Sequence, residues 1–469
     1  MKRKFLSVLL ATVLLVALVA CGNSAASGDP TEEQPPIESD VLESTPTDEA
    51  PEQSDESMGV FNVNATLDDT VLVDEDGVKI TATGLTNTTY SVDLALTIEN
   101  NSGKDLSFIS GSLGYSCNSI NGYMVDDGYL NCDVADGKKA NDTISFGYDA
   151  LMLYGIDEIA DMEIGISMTD DDYNTAYTGP RQLKTSVAET HDYGADHYQE
   201  TITSKAAMNT YGYEMVHFSQ DTLYDQNGVK LLSSGILSNQ NGEAALVLEL
   251  ENSTDSTVYL YTSNIAINGL LVNNSIWSSD AINPGRRRIV EIMLSSVLDA
   301  AHWSAYGLDQ VGTVSLSLGQ RNEDGADLVA ETAVEIVVPG VTAAFDGTGT
   351  EVYNSGGLRL IAKSVQEDAS DYSSDLYVLL LAENRSGRTL TIADSYDSLS
   401  VNGFMTDYSF YSQELPDGAS AALVIKLWES SLQENQVAEV SDIREIEMSF
   451  EVREGYTTVD EPTVTISFE

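Results

Sequence analysis

A nine-residue stretch of alternating apolar and polar residues occurs three times in the chain, at 92–100, 244–252 and 376–384, each time ending in Glu-Asn. Strict alternation is typical of a β-strand with one buried face, because successive side chains point to opposite faces of a sheet. Three copies in the same register predict a repeat protein built of β-structure. The alternating apolar positions are Val92, Leu94, Leu96 and Ile98; Ala244, Leu246, Leu248 and Leu250; and Leu376, Val378, Leu380 and Ala382.

Turn signals recur at matching places around these strands. Dipeptides such as Asp-Gly, Asn-Gly and Gly-Gly tolerate the positive φ of tight hairpin turns. They precede each repeated strand at Asp76-Gly77, Asn227-Gly228 and Gly356-Gly357, and mark a second hairpin at Asn121-Gly122, Asn268-Gly269 and Asn402-Gly403. A third turn carries Gly137, Gly285 and Gly418. The spacing within each copy is nearly constant, which places the extra residues between the first two copies in a linker.

The repeats define the domain organisation that we expect. It is a first repeat at 60–188, a linker at 189–205, a second repeat at 206–340 and a third at 341–469. About seven or eight strands per repeat, with turn signals every 8–12 residues, predict antiparallel sandwiches. One segment after each third turn has a different spacing of apolar residues, near 151–159, 297–308 and 432–440. This spacing predicts one short helix per repeat. The predicted fold is all-β: three tandem immunoglobulin-like antiparallel β-sandwiches.

The N-terminus has the features of an export signal. Lys2, Arg3 and Lys4 precede an apolar run too short to span a bilayer comfortably, which predicts a signal peptide at 1–20. Leu18-Val19-Ala20-Cys21 resembles the lipobox of bacterial lipoproteins. That resemblance implies that the sulfur of Cys21 carries a diacylglyceryl group and becomes the new N-terminus after cleavage. We therefore expect a protein lipid-anchored in the cell membrane and facing outside the cytoplasm.

The segment that follows Cys21 predicts a disordered acidic tether, residues 21–59. It is rich in Pro and in acidic residues, and residues 22–58 contain no Lys or Arg. Such a composition buries too little apolar surface to become ordered. The whole chain has 75 acidic against 22 basic residues and a net charge of −53, which argues against nucleic acid and anionic lipid surfaces as partners.

The combination of an alternating strand ending in Glu-Asn, an apolar-Asn-Gly hairpin and a Pro/Asp-Gly turn resembles immunoglobulin-like domains of surface lipoproteins in Gram-positive bacteria. Many of these are classed as domains of unknown function. The resemblance covers nearly the whole mature chain and implies a fold and an extracellular setting. It supplies no catalytic residue.

Three consecutive arginines, Arg286, Arg287 and Arg288, follow the third turn of the second repeat in a chain with few cations. One interpretation is a contact point for an acidic partner or an anion such as a wall phosphate. The favoured alternative is an edge strand protected by charge against pairing with other edges.

Cys117 and Cys132 occur in the first repeat, on either side of its second hairpin. An oxidising location would permit a disulfide between them. The sequence leaves open whether they are bridged or are two free buried thiols.

Other arrangements are better explained without a site. His191, His197 and His217 lie near the linker and could offer zinc ligands, but incidental histidines are favoured. Asp74 and Asp76 mimic the start of a calcium loop, yet a hairpin explains them better. Asp170-Asp171-Asp172 could supply a glycosidase carboxylate pair, although a solvated loop is favoured. We expect no cofactor and no metal.

The sequence as a whole favours a non-enzymatic surface protein that presents immunoglobulin-like modules to a protein or a glycan of the envelope. Signatures such as HExxH, GxSxG, a P-loop or paired CxxC are absent from the sequence. Two alternatives stay open: an envelope polysaccharide hydrolase that uses a carboxylate pair, and a solute-binding lipoprotein.

Overall fold

The computed structural model describes residues 58–111, 118–273, 280–368 and 373–467. This part of the chain is all-β and β-sandwich-like, with a few short helices. The signal peptide with Cys21, nearly all of the predicted tether, and Cys117 lie outside the described residues.

The described part of the first repeat contributes two groups of strands. Strands β1, β2, β3 and β8 form one antiparallel sheet in that order, and β6-β5-β9-β4-β7 lie side by side in another, with β10 paired to β9. The bounds are β1 Thr70–Glu75, β2 Val78–Asn87, β3 Ser91–Asn100, β4 Leu106–Ser110, β5 Asn118–Ile120, β6 Tyr123–Val125, β7 Leu130–Val134, β8 Lys138–Gly147, β9 Asp161–Asp170 and β10 Thr175–Lys184.

The second repeat follows the same plan and extends the second sheet of the first. Strands β11-β13-β14-β18 continue that sheet through β6, which gives a sheet of eleven described strands. The bounds are β11 Tyr213–Ser219, β12 Asp225–Gln226, β13 Val229–Asn239, β14 Ala244–Asn252, β15 Val258–Ile267, β16 Leu270–Asn273, β17 Asp280–Ile282, β18 Arg287–Met293, β19 Thr313–Arg321 and β20 Asp327–Val337.

The third repeat joins the second in the same way. Strand β29 pairs with β16, so β20-β19-β15-β16-β29-β23-β22-β21 form one sheet, in which β17 also pairs with β15 and β27 with β29. The remaining strands of the third repeat form a last sheet around β30. The bounds are β21 Thr350–Ser355, β22 Leu358–Glu367, β23 Leu376–Asn384, β24 Leu390–Asp394, β25 Ser400–Val401, β26 Phe404–Met405, β27 Tyr408–Phe410, β28 Gln413–Leu415, β29 Ser420–Leu427, β30 Glu445–Glu454, β31 Thr457–Asp460 and β32 Thr463–Ser467.

The repeated nine-residue stretches form β3, β14 and β23, as predicted, but their outer faces differ. In β3 the burial alternates residue by residue, with Leu94 and Ile98 inside. In β14 and β23 most positions of both faces are buried. The second and third copies are therefore packed on both sides, whereas the first has one face toward solvent.

The asparagine that ends each copy links the two sheets of its repeat. Asn252 is fully buried, and its Nδ2 donates to the carbonyls of Ser256 and Ile282, both at 2.8 Å. Its Oδ1 accepts from the backbone N–H and hydroxyl of Thr254. Asn100 and Asn384 make equivalent bonds. The Glu-Asn ending is thus a structural signature, because a buried amide needs all its partners.

The predicted turns are present, and each repeat has helical structure after its third turn, although the second repeat has two short helices instead of the one predicted. The second hairpins have positive φ at both turn residues, for example 48° at Asn121 and 90° at Gly122, the geometry that Asn-Gly favours. Short helices follow the third turn in each repeat and begin about three residues earlier than predicted. They are α1 Tyr148–Leu153; α4 Leu294–Val297 and α5 Trp303–Tyr306; and α6 Glu429–Glu434.

The segment predicted as a plain linker contains helical structure. Helix α2 is His197–Ile202 and helix α3 is Lys205–Tyr211. The Ser204 hydroxyl accepts from the N–H of Ala207 at the start of α3, and Gly212 ends that helix with a φ of 71°. A serine N-cap and a glycine C-cap are ordinary helix boundaries. The extra residues between the first two repeats therefore build two short helices.

Three hydrophobic clusters form the core, and they cross the sequence boundaries of the repeats. The first includes Ala245, Val247 and Met293 of the second repeat, together with residues of α2 and α3. The second includes Leu379 and Leu381 of the third repeat. Neighbouring repeats consequently share buried apolar surface as well as sheet hydrogen bonds.

Candidate functional site: an aromatic cleft on the third repeat

The outer face of the first sheet differs most among the repeats, and strand register allows a comparison position by position. Asp93 pairs with Ser145 in the first repeat, Ala245 with Met293 in the second and Tyr377 with Lys426 in the third. Each pair occupies the same place. It is polar in the first repeat, apolar in the second, and joins an aromatic ring to a cation in the third.

Helices α2 and α3 cover this face in the second repeat. Ala245 and Met293 are buried in one cluster with Tyr198 and Ile202 of α2 and with Tyr213 of β11. The spacing between the second and third copies is shorter, and no α2–α3 pair precedes the described strands of the third repeat. The corresponding face of the third repeat is open only at its end around Tyr377 and Lys426, whereas Leu379 and Leu381 on the same face are fully buried in the second cluster.

A cleft of about 650 Å³ lies on that open face. Its floor is formed by β23 and β29, and its sides by β27 and the start of α6. The cleft is lined by Asp375, Tyr377, Ser409, Tyr411, Val424, Lys426, Trp428, Glu429 and Ser430.

Aromatic rings dominate its surface. Tyr411 is 81% exposed and Trp428 is 45% exposed. The indole Nε1 of Trp428 donates to the Ser409 hydroxyl at 2.9 Å, which fixes the ring while leaving much of it in solvent. Tyr377 packs against His302, with ring centroids 4.8 Å apart. Exposed aromatic faces held in place are suited to contact with an apolar face of a ligand.

Charged groups are built into the same cleft. The Lys426 ammonium lies 2.6 Å from Asp375 Oδ2 and 5.8 Å from the Tyr377 ring centroid. Burial alone would raise the pKa of the Asp375 carboxyl, but hydrogen bonds from Lys426, Ser373 and the Glu429 N–H outweigh it and hold that pKa below its usual range. The hydrogen bond to Asp375 raises the pKa of Lys426. The pair therefore stays charged at neutral pH.

Glu429 contributes a second carboxylate that is also engaged. Its Oε1 accepts from Gln433 Nε2 at 2.6 Å, and its Oε2 accepts from the backbone N–H of Ser374 at 3.3 Å. The polar groups of the cleft are thus held by neighbouring residues.

The three predicted contact arginines lie at the junction between the first and second repeats. Arg286 binds Glu163 and Arg288 binds Asp126, both of the first repeat. Arg287 Nη1 donates to the Tyr123 hydroxyl of the first repeat at 3.3 Å and lies 3.1 Å from Glu249 Oε1 of its own repeat. Their side chains are no more than 23% exposed. These groups hold the two repeats together, so the geometry gives no support to a docking point for a separate partner. The expected edge strand is also wrong, because β18 lies between β14 and β6.

The histidines come only partly together. The rings of His191 and His197 are 5.4 Å apart, and His197 Nε2 lies 3.0 Å from the Asp192 carbonyl. His217 lies on β11. Burial lowers the pKa of His191, and the neighbouring His197 lowers it further as the second-largest cause. In the part of the chain that the structure describes, no group of three His, Cys, Asp or Glu side chains is arranged to hold a metal ion.

The remaining candidates have structural surroundings. Cys132 is buried on β7, where burial and a hydrogen bond with Asp142 raise the pKa of its thiol to about 11. The disulfide stays a prediction, since Cys117 lies outside the described residues. Asp170 binds Lys104 and accepts hydrogen bonds from Asn174, which hold its pKa well below the usual range. It stabilises a turn.

One residue of the cleft, Tyr377, lies in the repeated stretch of the third copy. A usable signal was present in the aligned repeats, where Asp93, Ala245 and Tyr377 share one position. Trp428 and Tyr411 carried no comparable signal.

These features define an all-β, β-sandwich-like repeat protein with an aromatic, charged cleft. Among the described residues, no helix is both long enough and apolar enough to cross a membrane. No protein family and no curated protein matches the chain.

Solved structures show only distant likeness. A protein of unknown function from Porphyromonas gingivalis is 12% identical over 55% of this chain and 100% of its own, with a TM-score of 0.15. The exo-chitosanase of Amycolatopsis orientalis is 6% identical over 86% of this chain and 78% of its own, with a TM-score of 0.17. At these TM-scores the likenesses carry no information about function.

Proposed function

We propose that this chain is a non-enzymatic, cell-surface glycan-binding protein, anchored by lipid at Cys21. Three immunoglobulin-like modules form a stiff support, and the cleft of the third repeat holds the glycan. The observation that carries the proposal is the cleft itself: one end of the face that is polar in the first repeat and covered in the second carries, in the third, an open cleft lined by aromatic and charged side chains.

The chemistry of the cleft suits a sugar. The rings of Tyr411 and Trp428 offer flat apolar surfaces to the C–H faces of a pyranose. Asp375, Glu429 and Lys426 supply acceptors and a donor for ring hydroxyls. Two carboxylates against one ammonium, on a chain of net charge −53, favour an uncharged glycan over an anionic one.

Stiffness between repeats supports a binding role. The repeats share sheets at both junctions, and the Tyr306 hydroxyl donates to the carbonyls of Leu380 and Leu423 in the third repeat. A stiff array on a flexible tether would hold the cleft at a distance from the membrane.

The direct test is a calorimetric titration of the chain from residue 22 onward with neutral and with anionic envelope polysaccharides. We expect a neutral glycan to bind and Trp428→Ala to weaken it about tenfold or more, by loss of ring contact. Trp428→Phe should recover part of the affinity. Tyr396→Ala is the matched control, because Tyr396 is an exposed aromatic of the same repeat outside the cleft. Equal affinities for wild type and Trp428→Ala would refute the site.

A hydrolase is the second candidate, because the cleft contains both Asp375 and Glu429. A glycosidase needs one carboxyl with a raised pKa to act as the acid. The low pKa of Asp375 and its ion pair with Lys426 favour binding instead. If the protein releases reducing ends from the bound polysaccharide and Asp375→Asn abolishes that release, the hydrolase would be favoured over the non-enzymatic binding protein.

The anchor has its own test. Cys21→Ala should move the protein from the membrane fraction to the medium, because two acyl chains supply the stable attachment. If the variant stays in the membrane fraction, lipid attachment at Cys21 is not what holds the protein.

A further inference from the structure

The two internal junctions use one mechanism of strand pairing. In each, the strand that follows the Asn-Gly turn of one repeat pairs in parallel with the strand that follows the third turn of the next. Tyr123 of β6 lies opposite Arg287 of β18, and Leu270 of β16 lies opposite Ser420 of β29. Tyr123 and Leu270 each directly follow their turn glycine. Arg287 and Ser420 are each the second residue after theirs, so the register is the same at both junctions.

The third repeat carries the same hairpin, with no further repeat described to cover it. We name residues 400–405, which form β25, the turn and β26, the terminal hairpin. Phe404 and Met405 are 58% and 59% exposed, whereas Tyr123 and Leu270 are 4% and 0% exposed. Exposed apolar residues at a position that is buried twice elsewhere in the chain indicate a contact surface.

The first repeat carries the complementary edge. Among the described residues, β8 is the last strand of its sheet, and an isolated bridge between Tyr129 and Ser145 covers only its far end. We name residues 138–140, at the start of β8, the free edge. Lys138 and Lys139 there are exposed, and Lys139 occupies the place of Arg287 and Ser420. An uncovered strand edge is a template for pairing with another chain.

Charge at the two surfaces matches the first internal junction. There Arg286 binds Glu163, which lies opposite Ser119 in the sheet. In the third repeat Glu447 lies opposite Ser400 and so occupies the place of Glu163. Lys138 directly follows Gly137 as Arg286 follows Gly285, which gives the free edge the cation that Glu447 would meet.

From these equivalences we propose that a second copy of this chain docks its terminal hairpin on the free edge of the first, with Phe404 opposite Lys139 and Glu447 paired with Lys138. The contact is head-to-tail, so successive copies form an open string rather than a closed dimer. The proposal is independent of the glycan site, because the terminal hairpin belongs to the sheet around β30, whereas the cleft lies on β23 and β29 of the other sheet.

The contact between copies reproduces only part of an internal junction. On the side of the terminal hairpin, Asn435 occupies the place that Tyr306 has in the second repeat, where the Tyr306 hydroxyl binds the third repeat. On the side of the free edge, Thr97 occupies the place that Leu381 has in the third repeat. The apolar half of the junction is therefore absent on both sides. Association should be weak in solution and favoured where copies are concentrated, as on a membrane surface.

Sedimentation velocity of the chain from residue 22 onward, over a series of concentrations at physiological salt, is the measurement. At this ionic strength the Debye length is about 8 Å, so repulsion between acidic copies is screened while a contact ion pair persists. We expect the sedimentation coefficient to rise with concentration. Phe404→Ser should raise the dissociation constant about tenfold, by loss of the buried ring.

Charge exchange tests the register. Lys138→Glu and Glu447→Lys should each raise the dissociation constant several-fold, and the double variant should restore it. Tyr396→Ser, which removes an exposed aromatic elsewhere in the third repeat, should leave association unchanged. A wild-type chain that stays monomeric throughout the series would overturn the proposal, and so would assembly that is insensitive to Phe404→Ser or is not restored by the double exchange.

Discussion

Arg286 and Glu163, 123 residues apart in the chain, form a two-point ion pair across the junction of the first two repeats. The guanidinium Nη2 lies 2.6 Å from Oε1 and Nε lies 3.0 Å from Oε2. Both side chains are less than one-fifth exposed, at 18% and 16%. The junction therefore contains a desolvated, geometrically defined pair rather than a loose surface contact.

Removing one member of this pair should destabilise the junction. We expect Arg286→Ala to lower the free energy of unfolding by about 2 kcal/mol, because Glu163 would remain as a largely desolvated, unpaired carboxylate. Urea unfolding followed by circular dichroism measures the change. Arg388→Ala is the control, since Arg388 and Glu454 form an exposed pair, 41% and 50% exposed, worth about 0.5 kcal/mol. Equal losses for the two variants would contradict the special role of the junction.

The buried asparagine that ends each repeated strand should be among the most sensitive positions. Asn252→Ala removes hydrogen bonds to Ser256, Ile282 and Thr254 in a fully buried place and leaves their polar groups unpaired. We expect a loss of about 3 kcal/mol in the free energy of unfolding. Asn241→Ala, in an exposed turn of the same repeat, should change it by less than about 0.5 kcal/mol. A small effect at Asn252 would mean that the two sheets are held together without this link.

The tyrosine between the second and third repeats offers a test with little change of shape. Tyr306→Phe keeps the ring but removes the hydroxyl that donates to the carbonyls of Leu380 and Leu423, at 2.9 and 3.1 Å. The expected cost is about 1 kcal/mol in thermal or urea unfolding. Tyr173→Phe, at a residue that is 89% exposed, should have no measurable effect. If the two variants behave alike, this hydroxyl does not contribute to the junction.

Asp346, which leads into the third repeat, should make stability depend on acid pH. Hydrogen bonds from Thr348 and from the buried ammonium of Lys363 lower the pKa of its carboxyl to about 2. A carboxyl with a lowered pKa in the folded state stabilises the fold above its ordinary pKa, and the contribution is lost as pH falls through the folded value.

Asp346→Asn should consequently be less stable than wild type at neutral pH, and the difference should shrink as the pH falls from about 4 to about 2. Urea unfolding at a series of pH values measures it. Asp324→Asn, in an exposed turn, provides the comparison. A difference between Asp346→Asn and wild type that is constant over the whole pH range would rule out this linkage.

The sequence by itself determined the repeated strand and the hairpin turns of each repeat, and it indicated helical structure after each third turn. Alternation at Leu94, Leu246 and Val378 placed the repeated strands, and glycines with positive φ at Gly122, Gly269 and Gly403 placed the hairpins. These features depend on neighbouring residues in the chain, because side-chain alternation and backbone dihedral preference are local properties.

Only the tertiary structure decided how the repeats join and where the cleft lies. The pairing of Tyr123 with Arg287, the partners of the three arginines and the cover supplied by α2 and α3 all connect residues distant in sequence. The residues next to an arginine in the chain do not show whether it lies on a sheet edge or between two repeats, because the same turn precedes it in both cases. The cleft around Trp428 exists because one end of an outer face that is covered in the second repeat is left open in the third. That difference depends on packing between elements rather than on any one of them.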